Sequence, residues 1–147
     1  MRILQVTLWM SCKVNSRRCQ KQLWKLSKRK IQEINFRLVF FYHNKAVGFF
    51  VLDFGIDKLD LTENENSTLL RSLSINPEYQ GKGIGKTAMI VLSDFVKENF
   101  PECDEVVLAV NFNNKSAYDL YLKCGFKDEG KTREFKNGYQ HLLSKRI

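Results

Sequence analysis

Cysteine and histidine are scarce in this chain, and none of them is grouped. Cys12, Cys19, Cys103 and Cys124 form no Cys-x-x-Cys pair, and His43 and His141 stand far from them in sequence. No metal site is therefore expected. Reduced thiols of a cytoplasmic protein are the simplest reading of the cysteines. Long hydrophobic runs are missing too. No apolar stretch approaches the roughly 18 residues that a membrane span needs, so no membrane partner is expected. Near the start, Gln5 and Thr7 interrupt the only short apolar run, and no charged leader precedes it. That argues against a secretory signal. There is no internal repeat and no low-complexity tract.

What the chain does contain fits one compact domain over residues 1–147. Its length is about that of a single domain. At 44% hydrophobic and 12% aromatic residues it can bury a core, which excludes intrinsic disorder. The net charge is +8, and much of it comes early. Lys13, Arg17, Arg18, Lys21, Lys25, Lys28, Arg29 and Lys30 all precede the first acid, Glu33. Leu23, Trp24, Leu26 and Ile31 interleave with them, and the pattern predicts an amphipathic helix from about Ser16 to Gln32. A solvated face on a packed helix is the ordinary explanation. A nucleic-acid footprint is the sharper one, but no recognition motif accompanies it, and nucleic acid is not favoured as a partner.

The remaining periodicities alternate between strand and helix. Arg2 to Trp9 reads as a first strand. Phe36 to Tyr42 and Ala46 to Phe54 read as strands around the turn His43-Asn44-Lys45. Gly55 to Ser67 is a polar loop and Thr68 to Ile75 a further strand. A helical segment to about Asn99 follows, with Ile84, Ala88, Leu92, Phe95 and Val96 on one side and Pro101 beyond it. Glu105 to Val110 is a strand, and Asn114 to Lys123 a short helix with Gly125 past its end. Phe126 to Thr132 and Tyr139 to Arg146 close the order, with Asn137-Gly138 as a turn signal. Such an order implies an α/β (α+β) fold: a mixed sheet covered on both sides.

The most informative stretch lies between the fourth strand and its helix: Gln80-Gly81-Lys82-Gly83-Ile84-Gly85-Lys86-Thr87. Glycine lets a backbone come close to a ligand, and a helix start carries unpartnered N–H groups and partial positive charge. Together these make a site for a phosphate or pyrophosphate. A Gly-rich turn capping an ordinary helix is the plain alternative. Two familiar loops fail on spacing. The nucleoside-triphosphate loop needs glycine where Gln80 stands. The dinucleotide fingerprint needs its third glycine where Lys86 stands.

What remains is Gln-x-x-Gly-x-Gly, from Gln80, Gly83 and Gly85. It resembles the acyl-CoA loop of the GNAT N-acetyltransferases. A second landmark agrees, because Asn114, Ala117, Leu120, Tyr121, Lys123, Gly125 and Phe126 match that family in order. The resemblance runs from about residue 36 to residue 126, and its middle region is similar to bacterial spermine/spermidine acetyltransferases. It implies a GNAT-like, mostly antiparallel mixed sheet with helices on both faces, and acetyl-CoA as cofactor. It also implies that backbone groups at Leu73, Ser74 and Ile75 pair with the pantetheine arm. Gln80, Gly81, Lys82, Gly83, Ile84, Gly85, Lys86 and Thr87 would hold the diphosphate. Asn114 would cap its helix or bond the pantetheine arm. Members of the family often pair as homodimers, which is a further expectation. A cationic surface would also speed encounter with anionic CoA. One departure stands out: only 35 residues precede Phe36, so the family's substrate-side helices are shortened or missing.

The resemblance places Tyr121 as general acid, its hydroxyl facing the CoA sulfur. A phenol titrates near 10 and a thiol near 8.5, so the tyrosine keeps its proton until the thiolate takes it. Tyr118 and Tyr79 are competitors. A base is harder to name. An alkyl amine is only about one part in two thousand neutral at pH 7, a penalty of about 4.6 kcal/mol. Some members use a glutamate eleven residues before the loop's Gln, and here that residue is Leu69. Asp53 and Glu105 are the substitutes to consider. The acids Asp53, Asp57, Asp60, Glu63 and Glu65 face only Lys58 in the loop. They suggest a cationic acceptor such as a polyamine, unless the loop is merely solvated. The expected activity is acetyl transfer to a polyamine or other small amine. The alternatives are an acyl-CoA-binding module without catalysis, or transfer to a protein or peptide amine.

Overall fold

The computed structural model describes residues 4–9 and 35–147, and of residues 4–9 only the backbone. The basic helix expected over Ser16 to Gln32 lies outside the described residues. Seven strands build one sheet: β1 (Leu4–Trp9), β2 (Asn35–Tyr42), β3 (Lys45–Asp53), β4 (Ser67–Ile75), β5 (Glu105–Asn111), β6 (Lys127–Phe135) and β7 (Gly138–Arg146). Their spatial order is β1-β2-β3-β4-β5-β7-β6. Every neighbouring pair is antiparallel except β4 and β5. A parallel pair needs a crossover, and helix α1 (Ile84–Asn99) supplies it. A second helix, α2 (Lys115–Lys123), joins β5 to β6.

Alternation decides which face of the sheet is buried. On β2, Phe36, Leu38 and Phe40 are buried, and they meet Phe50, Leu52 and Leu70 from β3 and β4 in the main core. Val106, Leu108 and Val110 on β5 and Leu143 on β7 join the same layer. Helix α1 seals it with Ile84, Ala88, Met89, Leu92 and Val96. Each fully buried side chain of this size contributes roughly 1.5–3 kcal/mol. Tyr121 and Cys124 bring α2 onto the same cluster. Both described helices therefore lie on one face of the sheet, called the near face below. On the far face, Leu61, Leu69 and Val107 form a second cluster against Ala109 and Leu142.

Two local features depart from the sequence reading. The polar loop after β3 contains a 3-10 turn over Ile56–Asp60, which buries Lys58. Its Nζ donates to the carbonyls of Glu65 at 2.7 Å and Ser67 at 2.9 Å, so the lysine staples the loop from inside. The closing hairpin turns at Lys136 and Asn137, because Gly138 already pairs with Phe135. A Cβ at Gly48 would overlap the Phe40 ring and the Ser74 carbonyl, so the centre of β3 admits only glycine.

Candidate functional site

The parallel pair is short. β4 and β5 pair at Ser67↔Glu105, Thr68↔Val106 and Leu69↔Val107, and the ladder stops there. Past Leu69 the two strands part and leave an opening between Arg71–Ile75 and Leu108–Asn111. On its other side β4 continues to pair with β3, but the register shifts between Phe49 and Val51. Opposite that shift Ser72 takes a φ of 54°, a left-handed conformation that costs a non-glycine residue about 1–2 kcal/mol. This bulge re-aims the end of β4, where Leu73, Ser74 and Ile75 stand. Leu73 and Ile75 pack on the main core, while their strand has lost its β5 partner.

The glycine loop closes the top of the opening. Asn76 accepts from the Glu78 amide at 3.1 Å and caps the turn Pro77–Tyr79. Gln80 donates from Nε2 to the Ile75 carbonyl at 2.9 Å, which fixes the loop to the end of β4. Gly81 and Gly83 have φ of 72° and 79°, and nothing lies within 4 Å of where a Cβ would project from either. Among the described residues, no acceptor takes the amides of Gly81 to Lys86; the first bond into the helix runs from the Thr87 amide to the Gly83 carbonyl at 3.1 Å. The Thr87 hydroxyl donates to the same carbonyl at 3.2 Å. Unpartnered amides at a helix start suit an anion with several oxygens, and these residues fit a diphosphate. Lys82 sits over the Tyr79 ring at 5.0 Å. Gly85 has a different job. A Cβ there would stand 3.0 Å from Leu120 Cδ2 and 3.1 Å from Ile75 Cδ1. Its missing side chain lets α1, α2 and β4 meet closely, while its amide remains among the unpartnered ones.

Helix α2 brings the tyrosine in. Asn114 caps it, its Oδ1 accepting from the Ala117 amide at 3.2 Å, and its Nδ2 has no partner among the described residues. Gly125, at φ 88°, ends it, and the Phe126 amide donates to the Tyr121 carbonyl at 3.0 Å. Tyr121 is 7% exposed and lies edge-on to Phe126 at 5.6 Å. Burial, and then the nearby Cys124 thiol, push its pKa up to about 12. Its hydroxyl has no hydrogen bond among the described residues. Among the described residues no fully sealed side-chain N or O lacks a partner, so the phenol oxygen is not completely closed off. The competitors are engaged. Tyr118 donates to Asp128 Oδ2 at 2.9 Å, and that bond holds its proton. Tyr79 carries Lys82 on its ring. Lys86 and Lys145 both act on the Cys124 thiol, whose pKa burial raises and these cations lower.

Neither candidate base is free. Asp53 takes Arg71 Nη1 at 2.6 Å and the Gly55 amide at 2.8 Å. Glu105 accepts from Thr62 at 3.0 Å and Asn64 at 3.1 Å, and faces Arg146 at 3.8 Å. Leu69, where the family can carry glutamate, is buried in the far-face cluster at the foot of the opening. The acidic loop covers the far face at the closed end. Its Asp57 also pairs with Arg71, at 3.1 Å. Sequence reasoning missed Arg71 as the counter-ion of both aspartates. Among the described residues, no group of three His, Cys, Asp or Glu is placed to hold a metal, and no helix is long and apolar enough to cross a membrane.

One crossover between two parting parallel strands, with a phosphate-type loop at its head, is an acetyltransferase architecture. The chain belongs to the Acetyltransferase (GNAT) family, whose profile matches residues 5–126, further toward the start than the sequence motifs reach. YbbJ of Bacillus subtilis (strain 168), an uncharacterized N-acetyltransferase, is 44% identical over 98 residues, which cover 66% of this chain and 61% of that protein. The match thus spans less than two thirds of that relative's length. Among solved structures, spermidine/spermine N-acetyltransferase SpeG of Vibrio cholerae, in mutant forms, aligns with a TM-score of 0.67 at 21% identity, covering 98% of this chain and 95% of that one. A Bacillus subtilis acetyltransferase in complex with CoA aligns at 0.66 and 17% identity, covering 99% of both chains. Identities this low speak for the fold alone.

Proposed function

We propose that this protein transfers an acetyl group directly from acetyl-CoA to a primary amine of a small molecule. The observation that carries the reading is the opening past Leu69↔Val107, headed by unpartnered amides from Gly81 to Lys86. Bound acetyl-CoA supplies an acetyl group activated as a thioester. The loop amides would hold its diphosphate, aided by Lys82 and Lys86. The unpaired edge of Leu73, Ser74 and Ile75 would hold the pantetheine arm, joined by Nδ2 of Asn114. A fixed edge of this kind orients the reacting group at no further entropic cost. Tyr121 would give its proton to the departing sulfur. A phenol with a pKa near 12 stays protonated at neutral pH, and because a thiolate is the weaker base its proton passes to sulfur in concert with cleavage of the C–S bond.

With Asp53 and Glu105 occupied, the acceptor's proton leaves through water to bulk solvent. Polyamines belong at the head of the assay panel. The loop between β3 and β4 carries the exposed acids Asp57, Asp60 and Glu63, and a SpeG spermidine/spermine acetyltransferase shares the fold. The second reading is an acyl-CoA-binding module without turnover, favoured by the missing carboxylate on β4. Calorimetry with acetyl-CoA, followed by free-thiol release with spermidine, small amines and peptide N-termini, separates these. Binding with amine-dependent thiol release is expected. Binding without release supports the module, and no binding at all overturns both.

A further inference from the structure

Side chains on β5 alternate between the faces. Val106, Leu108 and Val110 lie under the helices, whereas Val107 and Ala109 belong to the far face. Asn111 continues the second set, about 13 Å along the strand from Val107. Register places Asn111 opposite Gln140, and Gln140 opposite Arg133. The three side chains form a row across β5, β7 and β6. Arg133 Nε donates to Gln140 Oε1 at 2.9 Å, and Gln140 Nε2 donates to Asn111 Oδ1 at 2.7 Å.

The direction of this row is forced. Arginine can only donate, so Gln140 must turn its oxygen to Arg133 and its nitrogen to Asn111. Asn111 must then turn its own oxygen to Gln140, which leaves its NH2 outward. Arg133 lies over the Phe135 ring at 4.9 Å and has no carboxylate partner among the described residues. Both ends of the row thus present donors only, and one end carries a full positive charge held in place.

Helices α1 and α2 pack on the near face, and among the described residues this row stands beside the opening on the far face, where an acceptor entering from that side would meet it. We infer that Arg133, oriented by Gln140 and flanked by Asn111, binds an anionic oxygen group on the acceptor, and that the substrate is an amine carrying a carboxylate or a phosphate. The anion would lie at Arg133 and the amine would point into the opening. A purely cationic polyamine would meet only donors at this end. The inference rests on the acetyltransferase reading above and narrows its acceptor.

The test measures thiol release from acetyl-CoA with aminoalkyl carboxylates of graded length, aminoalkyl phosphates, the matching neutral amides and spermidine. Wild type and the variants Arg133→Gln and Gln140→Leu are compared. A charge-assisted bond of this kind predicts that kcat/KM favours the anionic amines over their amides by about 10- to 100-fold. Arg133→Gln should erase that preference, with the KM for acetyl-CoA unchanged. Gln140→Leu should weaken it part of the way. The carboxylate and phosphate arms tell the two anions apart. Equal use of amides and acids, or preference for spermidine untouched by Arg133→Gln, overturns this inference and leaves the acetyltransferase reading standing. So does failure of every anionic amine both to react and to bind the CoA-loaded protein in calorimetry. Failure to bind acetyl-CoA at all overturns the underlying reading instead.

Discussion

Leu69 and Val107 are the last residues at which the two parallel strands pair. Everything proposed for the cofactor follows from the backbone that this ending leaves unpaired. Hydrogen exchange followed by mass spectrometry can see it. On addition of acetyl-CoA, amides in segments 71–75 and 81–86 should gain protection, while segment 67–69, already in the ladder, should not change. Uniform protection across β4 would mean that the cofactor does not lie in the opening.

Tyr121→Phe removes one oxygen from a site that otherwise keeps its shape. Loss of a positioned general acid costs about 100- to 1,000-fold in kcat, with acetyl-CoA affinity by calorimetry little changed. Tyr118→Phe, which removes the bond to Asp128 instead, should leave kcat far closer to wild type. Equal effects of the two would take the acid role away from Tyr121.

Alkaline pH gives an independent reading of the same phenol. Unfolded, Tyr121 ionises near 10, and folded only near 12. The protonated form is thus favoured in the native state. The associated stability is complete below pH 10 and is lost as pH rises from 10 to 12, about 3 kcal/mol in all. Absorbance titration of native protein should show a tyrosine ionising near pH 12 that is missing in Tyr121→Phe. Denaturant midpoints of that variant should fall less steeply above pH 10.

Two glycines of one loop should fail differently. Gly83→Ala places a side chain at φ 79° with open space before it, so it strains the backbone by about 1 kcal/mol and crowds the ligand. Gly85→Ala pushes against Leu120 and Ile75 and should chiefly lower the unfolding midpoint. Thermal melts with and without acetyl-CoA separate the two. The first variant should lose most of its ligand-induced shift, and the second should keep it from a lower starting point.

Lys58→Met should destabilise by about 2–4 kcal/mol, because the carbonyls of Glu65 and Ser67 lose their charged donor. Urea denaturation checks this. An unchanged midpoint would show that water replaces the lysine at no cost.

The loop and the order of elements were legible because their signals are local. Glycine spacing, the Asn76-Pro77 break and the helical period after Ile84 sit within a few turns of one another. The same holds for Asn114 as a cap and Gly125 as a helix end. Other features needed partners distant in the chain. Nothing near Gly85 reveals that Leu120 lies over it. Lys58 reads as a surface cation until two carbonyls are folded around it. Arg71 hides its ties to Asp53 and Asp57, and with them the occupancy of one candidate base. The row Asn111, Gln140 and Arg133 exists only once three strands are in register, and a one-residue slip would turn it to the other face.

The outermost strand β6 has one further consequence, for self-association. It carries Lys127, Asp128, Glu129, Lys131, Arg133 and Glu134, and its pairing with β7 is broken between Asp128 and Thr132. A kinked border crowded with charge is a poor template for another chain's backbone. If two copies of this protein pair, the seam should therefore run elsewhere than along β6, and the sheet should end with the molecule on that side.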